Sequence, residues 1–181
     1  MKKFLALICI IPSLIILSSC TNDEEVADEL IDYYNNKWIP IHTMKERDIG
    51  TGKISLKSIL TEPGDNYEQE VVDLYETDII PIADKVIDRF ESIQFKGKKV
   101  KKLNTMQIKA EKHGRKLLKA GIEHFNGDLS DSEHRQKENE VKRKYEEVND
   151  YLEELMDTYN LEYDKEKGKV DGYYELKRKD E

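Results

Sequence analysis

One stretch of this chain is written twice. At a shift of 41 residues, Glu29–Ile41 falls on Glu70–Ile82, and six of the thirteen positions are identical. Glu29 meets Glu70, Asp32 meets Asp73, Tyr34 meets Tyr75, and Ile39-Pro40-Ile41 meets Ile80-Pro81-Ile82. The apolar positions register as well: Ile31, Tyr34, Trp38 and Ile41 fall on Val72, Tyr75, Ile79 and Ile82. Steps of three and four gather such residues on one helical face, and a period near forty suits a helical unit. Each copy carries a proline inside its seam. Proline removes one N–H and crowds the carbonyl four residues back, here Asn36 and Thr77. A kink or break is therefore expected at both sites. Either the paired kinks curve the helices around a core, or the freed carbonyls and Tyr34, Trp38, Tyr75 and Thr77 line a shared ligand notch. The copies keep their apolar seam better than the polar residues beside it. Asn36 and Lys37 fall on Thr77 and Asp78, which favours curvature.

The rest of the chain reads the same way. Charged residues make up 38%, against about 25% in ordinary domains. With only nine glycines and four prolines, that points to long helices laced with ion pairs. Helix one is expected over Asp23–Arg47, capped by Asn22 or Asp23. Helix two is expected over Asn66–Phe95 behind an Asp65/Glu68 capping box, with Val72, Tyr75, Ile79, Ile82, Val86, Phe90 and Ile93 inward and Gly97 closing it. Helix three is expected over Val100–Phe125, with Leu103, Met106, Ala110, His113, Leu117 and Gly121 inward and Asn126-Gly127 as its stop. Helix four follows a Ser130/Glu133 capping box, with Val141, Tyr145, Val148, Leu152, Leu155 and Tyr159 inward. Glu133–Lys137, Glu138–Lys142 and Glu140–Lys144 stand four apart as favourable pairs. Between Asp48 and Gly64, residues Ile54, Leu56, Ile59 and Leu60 suggest a short covering helix. After Leu161 the period is lost. A small hairpin around Lys165–Gly168 and a frayed end over Lys177–Glu181 are expected. The predicted fold is all-α: an antiparallel bundle of about four long helices over residues 20–160, with helices one and two proline-kinked. A short irregular or hairpin tail occupies residues 161–181.

The first twenty residues constrain location. Met1-Lys2-Lys3 is basic, Phe4–Leu17 is an apolar run broken only by Pro12-Ser13, and Leu17-Ser18-Ser19-Cys20 leads into Thr21-Asn22-Asp23-Glu24-Glu25. A charged start, a short apolar middle and small residues before a cut describe a secretory signal peptide. Fourteen helical residues cover about 21 Å, short of the roughly 30 Å hydrocarbon core. Leu17-Ser18-Ser19-Cys20 resembles the lipobox of bacterial lipoproteins. The resemblance implies removal of residues 1–19, diacylglycerol and further acylation such as palmitate at Cys20, and residence on the outer face of the cytoplasmic membrane. Two acyl chains anchor stably where one binds only marginally. The lysine-rich, helical make-up is similar to that of lysine- and glutamate-rich lipoproteins of bacilli, which implies a Gram-positive setting.

Charge and chemistry narrow the function by exclusion. Without the leader's two lysines, twenty-eight basic residues face thirty-eight acidic ones, a net −10. Nucleic acid is a poor partner for such a chain, and lipid rather than charge must hold it at an anionic bilayer. Cys9 lies in the leader and Cys20 takes lipid, so the exported part has no disulfide and no thiolate-bound metal. His113 and His124 share a helical face but stand about 16 Å apart, too far for one ion. Asp28 with Asp32 and Glu25 with Glu29 could sit near a cation, but no calcium loop surrounds them. No nucleophile elbow and no phosphate-cradling glycine loop occur. Lys96, Lys98, Lys99, Lys101 and Lys102 could touch lipid head groups or wall polymers. The expectation is a non-enzymatic interaction or scaffold lipoprotein with no cofactor, tethered to the membrane through Cys20 and meeting an unidentified protein or envelope partner. The alternative is a small-ligand or peptide receptor with its site at the Pro40/Pro81 kinks.

Overall fold

The computed structural model describes residues 23–50 and 66–180. The leader, Cys20, the Asn22 cap, the covering helix over 54–60 and the Asp65 half of a capping box lie outside these residues. Helix accounts for 76% of what is described. Four helical rods and a small C-terminal sheet make up the described residues. The first rod is α1 (Asp23–Tyr33) and α2 (Ile39–Gly50); the second is α3 (Tyr67–Leu74) and α4 (Ile80–Glu91). The long rods are α5 (Lys98–Phe125) and α6 (Asp131–Thr158).

The two copies of the repeat share a structural device. A five-residue π-helical turn joins the halves of each rod, over Tyr34–Trp38 and Tyr75–Ile79. The turns are offset by the same 41 residues as the sequence copies. The Ile39 N–H donates to the Tyr34 carbonyl and the Ile80 N–H to the Tyr75 carbonyl, each reaching back five residues. Ile39 and Ile80 keep helical dihedrals, so neither rod breaks. The wider turn makes room for a pyrrolidine ring that would otherwise meet the carbonyl four residues back. Pro40 and Pro81 themselves are exposed, while Ile39 and Ile41 are buried on the inner side.

Contacts fix the directions of the rods. Tyr145 lies against Gly114 and His134 against Gly121. The Lys102 and Lys99 ammoniums lie over the rings of Tyr151 and Tyr159. As the α5 number rises the α6 number falls, so the two helices run antiparallel. The second rod opposes α5 in the same sense: Tyr75 lies against Gly121, Asp84 pairs with Arg115, and the Phe90 carbonyl accepts from the Asn104 amide. One apolar cluster runs from Val26, Ala27 and Leu30 through Phe90 and Leu103 to Leu152, Leu155 and Leu161. A second gathers Val71, Leu74 and Ile79 with Tyr75, Leu118 and Phe125.

The Ser130/Glu133 capping box forms as expected, with both reciprocal bonds. Asn126-Gly127 also ends α5 as expected, Gly127 adopting φ +79°. Other expectations are corrected. The second rod ends at Glu91, because residues 92–97 turn aside. Gly97 is the N-cap of α5 and not the end of the preceding helix. The Glu29 carboxylate accepts from the N–H groups of Lys96 and Gly97, and a methyl at position 97 would meet it at 2.4 Å. The inner face of α5 is rotated from the predicted seam: Val100, Leu103, Asn104, Gln107, Ala110 and Glu111 are buried, while Met106, His113 and Leu117 are half-buried. On α6, Glu138 lies near His134 and Glu140 near His113, and Lys144 pairs with Glu147, in place of the expected pairs with lysines.

The C-terminal segment is a ribbon of β1 (Leu161–Tyr163), β2 (Lys169–Val170), β3 (Tyr173–Tyr174) and β4 (Leu176–Arg178). β1 pairs antiparallel with β4, and β2 with β3 inside it. The reversal falls at Asp171-Gly172, with φ +51° and +90°, not at Lys165–Gly168. Two successive positive φ values make the hairpin turn that Asp-Gly favours. Lys177 and Arg178 belong to β4 and are not frayed. Leu161 and Leu176 join the main apolar cluster. Among the described residues no helix is long and apolar enough to cross a membrane.

Candidate functional site

Among the described residues three polar side chains are buried in the core, and all lie on α5: Asn104, Gln107 and Glu111, at 4%, 1% and 2% exposure. Steps of three and four set them in one stripe. A buried carboxylate is costly unless paired and hydrogen-bonded, and Glu111 is both. The Gln107 amide donates to its Oε1 at 2.9 Å, and the Lys45 ammonium to its Oε2 at 2.8 Å. The chain of bonds continues outward, because the Trp38 indole N–H donates to Gln107 Oε1 at 3.2 Å. His42 stands between these groups. Its Nδ1 lies 3.0 Å from the Trp38 carbonyl and its Nε2 3.7 Å from Glu111 Oε1. Burial pushes the His42 imidazole below its ordinary value, against the pull of Glu111. The neutral ring then donates from Nδ1 to the Trp38 carbonyl. Burial, with Glu111 adding to it, pushes the phenols of Tyr33 and Tyr145 well above their ordinary range. Among the described residues the Tyr33 hydroxyl has no hydrogen-bond partner.

Aromatic rings close the outer side. Trp38 stacks on His42 at 3.7 Å and on Tyr34 at 4.9 Å, and Tyr173 meets its edge at 5.2 Å. The π turn sets up this arrangement. It places Asn35 so that its amide donates to the Leu176 carbonyl at 2.9 Å and its carbonyl accepts from the Leu176 N–H at 2.7 Å. One side chain thus continues the hydrogen bonding of β4 and holds the ribbon, with Tyr163 and Tyr173, over Tyr34 and Trp38. The Tyr173 hydroxyl donates to Glu46, and burial ahead of Glu46 pushes that phenol up to about 12. A carboxylate, an imidazole, an ammonium and phenols could pass a proton in an open site. Here Glu111 is 2% exposed and the His42 side chain 12%, and the same groups bind the first rod, α5, α6 and the ribbon to one another.

The four residues expected to share a notch separate into two places. Tyr34 and Trp38 belong to the main cluster beneath the ribbon. Tyr75 packs in the second cluster, its ring against Gly121, where an added Cβ would meet it at 3.0 Å. Thr77 is exposed and its hydroxyl donates to the Asp73 carbonyl. Three of the four paired acids of α1 are engaged in structure. Asp28 binds Arg178 at 2.6 Å, Asp32 accepts from Asn36 at 2.8 Å, and Glu29 caps the entry to α5. They border a groove of about 480 Å³ floored by Tyr33, Ile93 and Phe95.

Sequence reasoning missed Gln107 and Glu111. The signal was present: Val100, Leu103, Ala110, Gly114 and Gly121 form a three-four stripe in which Gln107 is the polar interruption. It competed with the bulkier stripe through Met106, His113 and Leu117. His124 and His134 were missed as a pair because they lie on different helices, yet their rings stack at 5.1 Å across the α5–α6 turn. Among the described residues no three His, Cys, Asp or Glu side chains converge as metal ligands. Comparison of the chain with protein-family models, with curated proteins and with solved structures finds no match.

Proposed function

We propose that the chain is a membrane-tethered extracytoplasmic lipoprotein, held on the outer face of the bacterial cytoplasmic membrane through lipid on Cys20. In this reading it acts as a non-enzymatic interaction or scaffold module, carried on an antiparallel helical bundle with its first two helices bent at Pro40 and Pro81. The tether rests on the leader and lipobox. The observation that carries the scaffold reading over the receptor is the filled seam behind Pro40. Trp38 has both faces and an edge covered by Tyr34, His42 and Tyr173, and its N–H is bonded to Gln107. Aromatic side chains that could stack on a ligand are spent on packing, which leaves the outer surfaces of the rods for partners.

Fatty-acid labelling in cells tests the tether. The parent chain should take up label, and Cys20→Ser should take up none and remain unprocessed or be shed. Label that persists on Cys20→Ser removes the tether. Crosslinking on intact cells tests the scaffold reading. It should capture a protein or envelope partner, and a stably exported Pro40→Ala/Pro81→Ala chain should keep it. A phenotype equal to gene deletion in that variant transfers the function to a site at the prolines.

A further inference from the structure

The charge of this molecule is unevenly placed. The chain is acidic overall, at −8, yet Lys96, Lys98, Lys99, Lys101 and Lys102 crowd the entry to α5, and all five are exposed. The fold sets this entry beside the start of α1. Glu29 holds the N–H groups of Lys96 and Gly97. The Lys99 ammonium is raised above the ordinary lysine value, first by the Tyr159 hydroxyl and further by Asp23, the first described residue of α1. Two residues separate Asp23 from Cys20, and an extended chain spans at most about 3.6 Å per residue. The lysines therefore lie within roughly one short tether of the lipidated cysteine.

The neighbouring acids do not cancel the patch. Asp28 is matched by Arg178, Glu29 is taken up by the α5 entry, and Glu162 lies 3.6 Å from the Lys177 ammonium. Asp23, Glu24 and Glu25 on the first turn of α1 and Glu154 beside Tyr151 remain, four carboxylates against five ammoniums. Lys99 and Lys102 are steadied over Tyr159 and Tyr151. Lys98 and Lys101 project without an ion-pair partner among the described residues.

We propose that the Lys96–Lys102 end of the molecule is a seat for the phosphate head groups of anionic lipids, pressed against the bilayer that Cys20 anchors. The inference rests on the tether proposed above and adds an orientation: the rods stand away from the membrane with the α5–α6 turn outermost. A patch of this size would bind a membrane weakly by itself. Anchorage by lipid makes the encounter intramolecular, so a weak electrostatic contact suffices to orient the chain.

The test uses the mature chain, extracted with its lipid and reconstituted into phosphatidylcholine vesicles with or without phosphatidylglycerol. An impermeant amine reagent labels lysines, and mass spectrometry reads each site along with the mass of the Cys20 peptide. Lys96–Lys102 should label about fivefold more slowly when phosphatidylglycerol is present, the effect of one lysine beside an anionic leaflet. High salt should abolish the difference, and Lys119 and Lys137 on the distal half should show none. Lys98→Gln/Lys101→Gln should return Lys96, Lys99 and Lys102 to the phosphatidylcholine rate. Equal labelling in both vesicles, or equal protection at Lys137, overturns the proposal. So does protection by soluble poly(glycerol phosphate) in the absence of any vesicle effect, which would assign the patch to a wall polymer. A Cys20 peptide without acyl mass refutes the tether and, with it, the seat that depends on the anchor; equal labelling with an acylated Cys20 refutes the seat alone.

Discussion

Replacing Lys45 by Met isolates the buried charge at the centre of the structure. Met keeps most of the aliphatic stem and removes only the ammonium that Glu111 Oε2 accepts from at 2.8 Å. Glu111, at 2% exposure, would keep the Gln107 amide and a neutral His42. Removing one partner of a fully buried pair costs about 3–5 kcal/mol. The Lys45 side chain is 27% exposed, so water already carries part of its solvation in the native state. The expected loss is reduced to about 2–3 kcal/mol. For a chain of this size that is a fall of about 5–10 °C in melting temperature. Urea unfolding followed by circular dichroism measures it, with Glu111→Gln/Lys45→Met as the second arm. The double variant buries no charge and keeps a carbonyl for Gln107, so it should recover at least half of the loss, a coupling of about 1–2 kcal/mol. Two results would refute the reasoning: Lys45→Met within about 0.5 kcal/mol of the parent, or single-variant losses that simply add.

Asn35→Ala removes both hydrogen bonds to the Leu176 backbone, worth about 1 kcal/mol each. Hydrogen exchange at β1 and β4 should quicken by about tenfold or more while α5 stays protected, and unchanged exchange at Leu176 would show that the lock is idle. Burial holds the His42 imidazole below its ordinary value, so the unfolded chain takes up that proton first as pH falls. The contribution is therefore whole above about pH 6.5 and is lost as pH drops below it toward the folded value. Unfolding free energy should decline from neutrality toward about pH 5, and His42→Gln should flatten the decline. A variant with the parent's slope would place that dependence on other groups.

Much of this architecture is local and was therefore legible in the residues. The three-four spacing from Val141 to Tyr159, the Ser130/Glu133 box and the Asn126-Gly127 stop act within a few residues of themselves, and each forms where its pattern places it. The 41-residue repeat reached further, since identical residues solve the same backbone problem twice, and the π turns share its offset. That the solution is a wide turn instead of a break depended on burial of Ile39 and Ile41, which reward a continuous rod. Tertiary contact decided which face of α5 turned inward. Two apolar stripes competed there, and the winning one carries Gln107 and Glu111 because Trp38 and Lys45 wait on the facing rod to bond them. Spacing along one helix cannot reveal a partner more than sixty residues away. The same holds for Asn35 and Leu176, 141 residues apart, and for the lysines of α5, whose neighbourhood to Asp23 exists only once the rods are packed. Local rules govern where helices begin and end; pairing between distant polar groups, each too costly to bury alone, governs how they face one another.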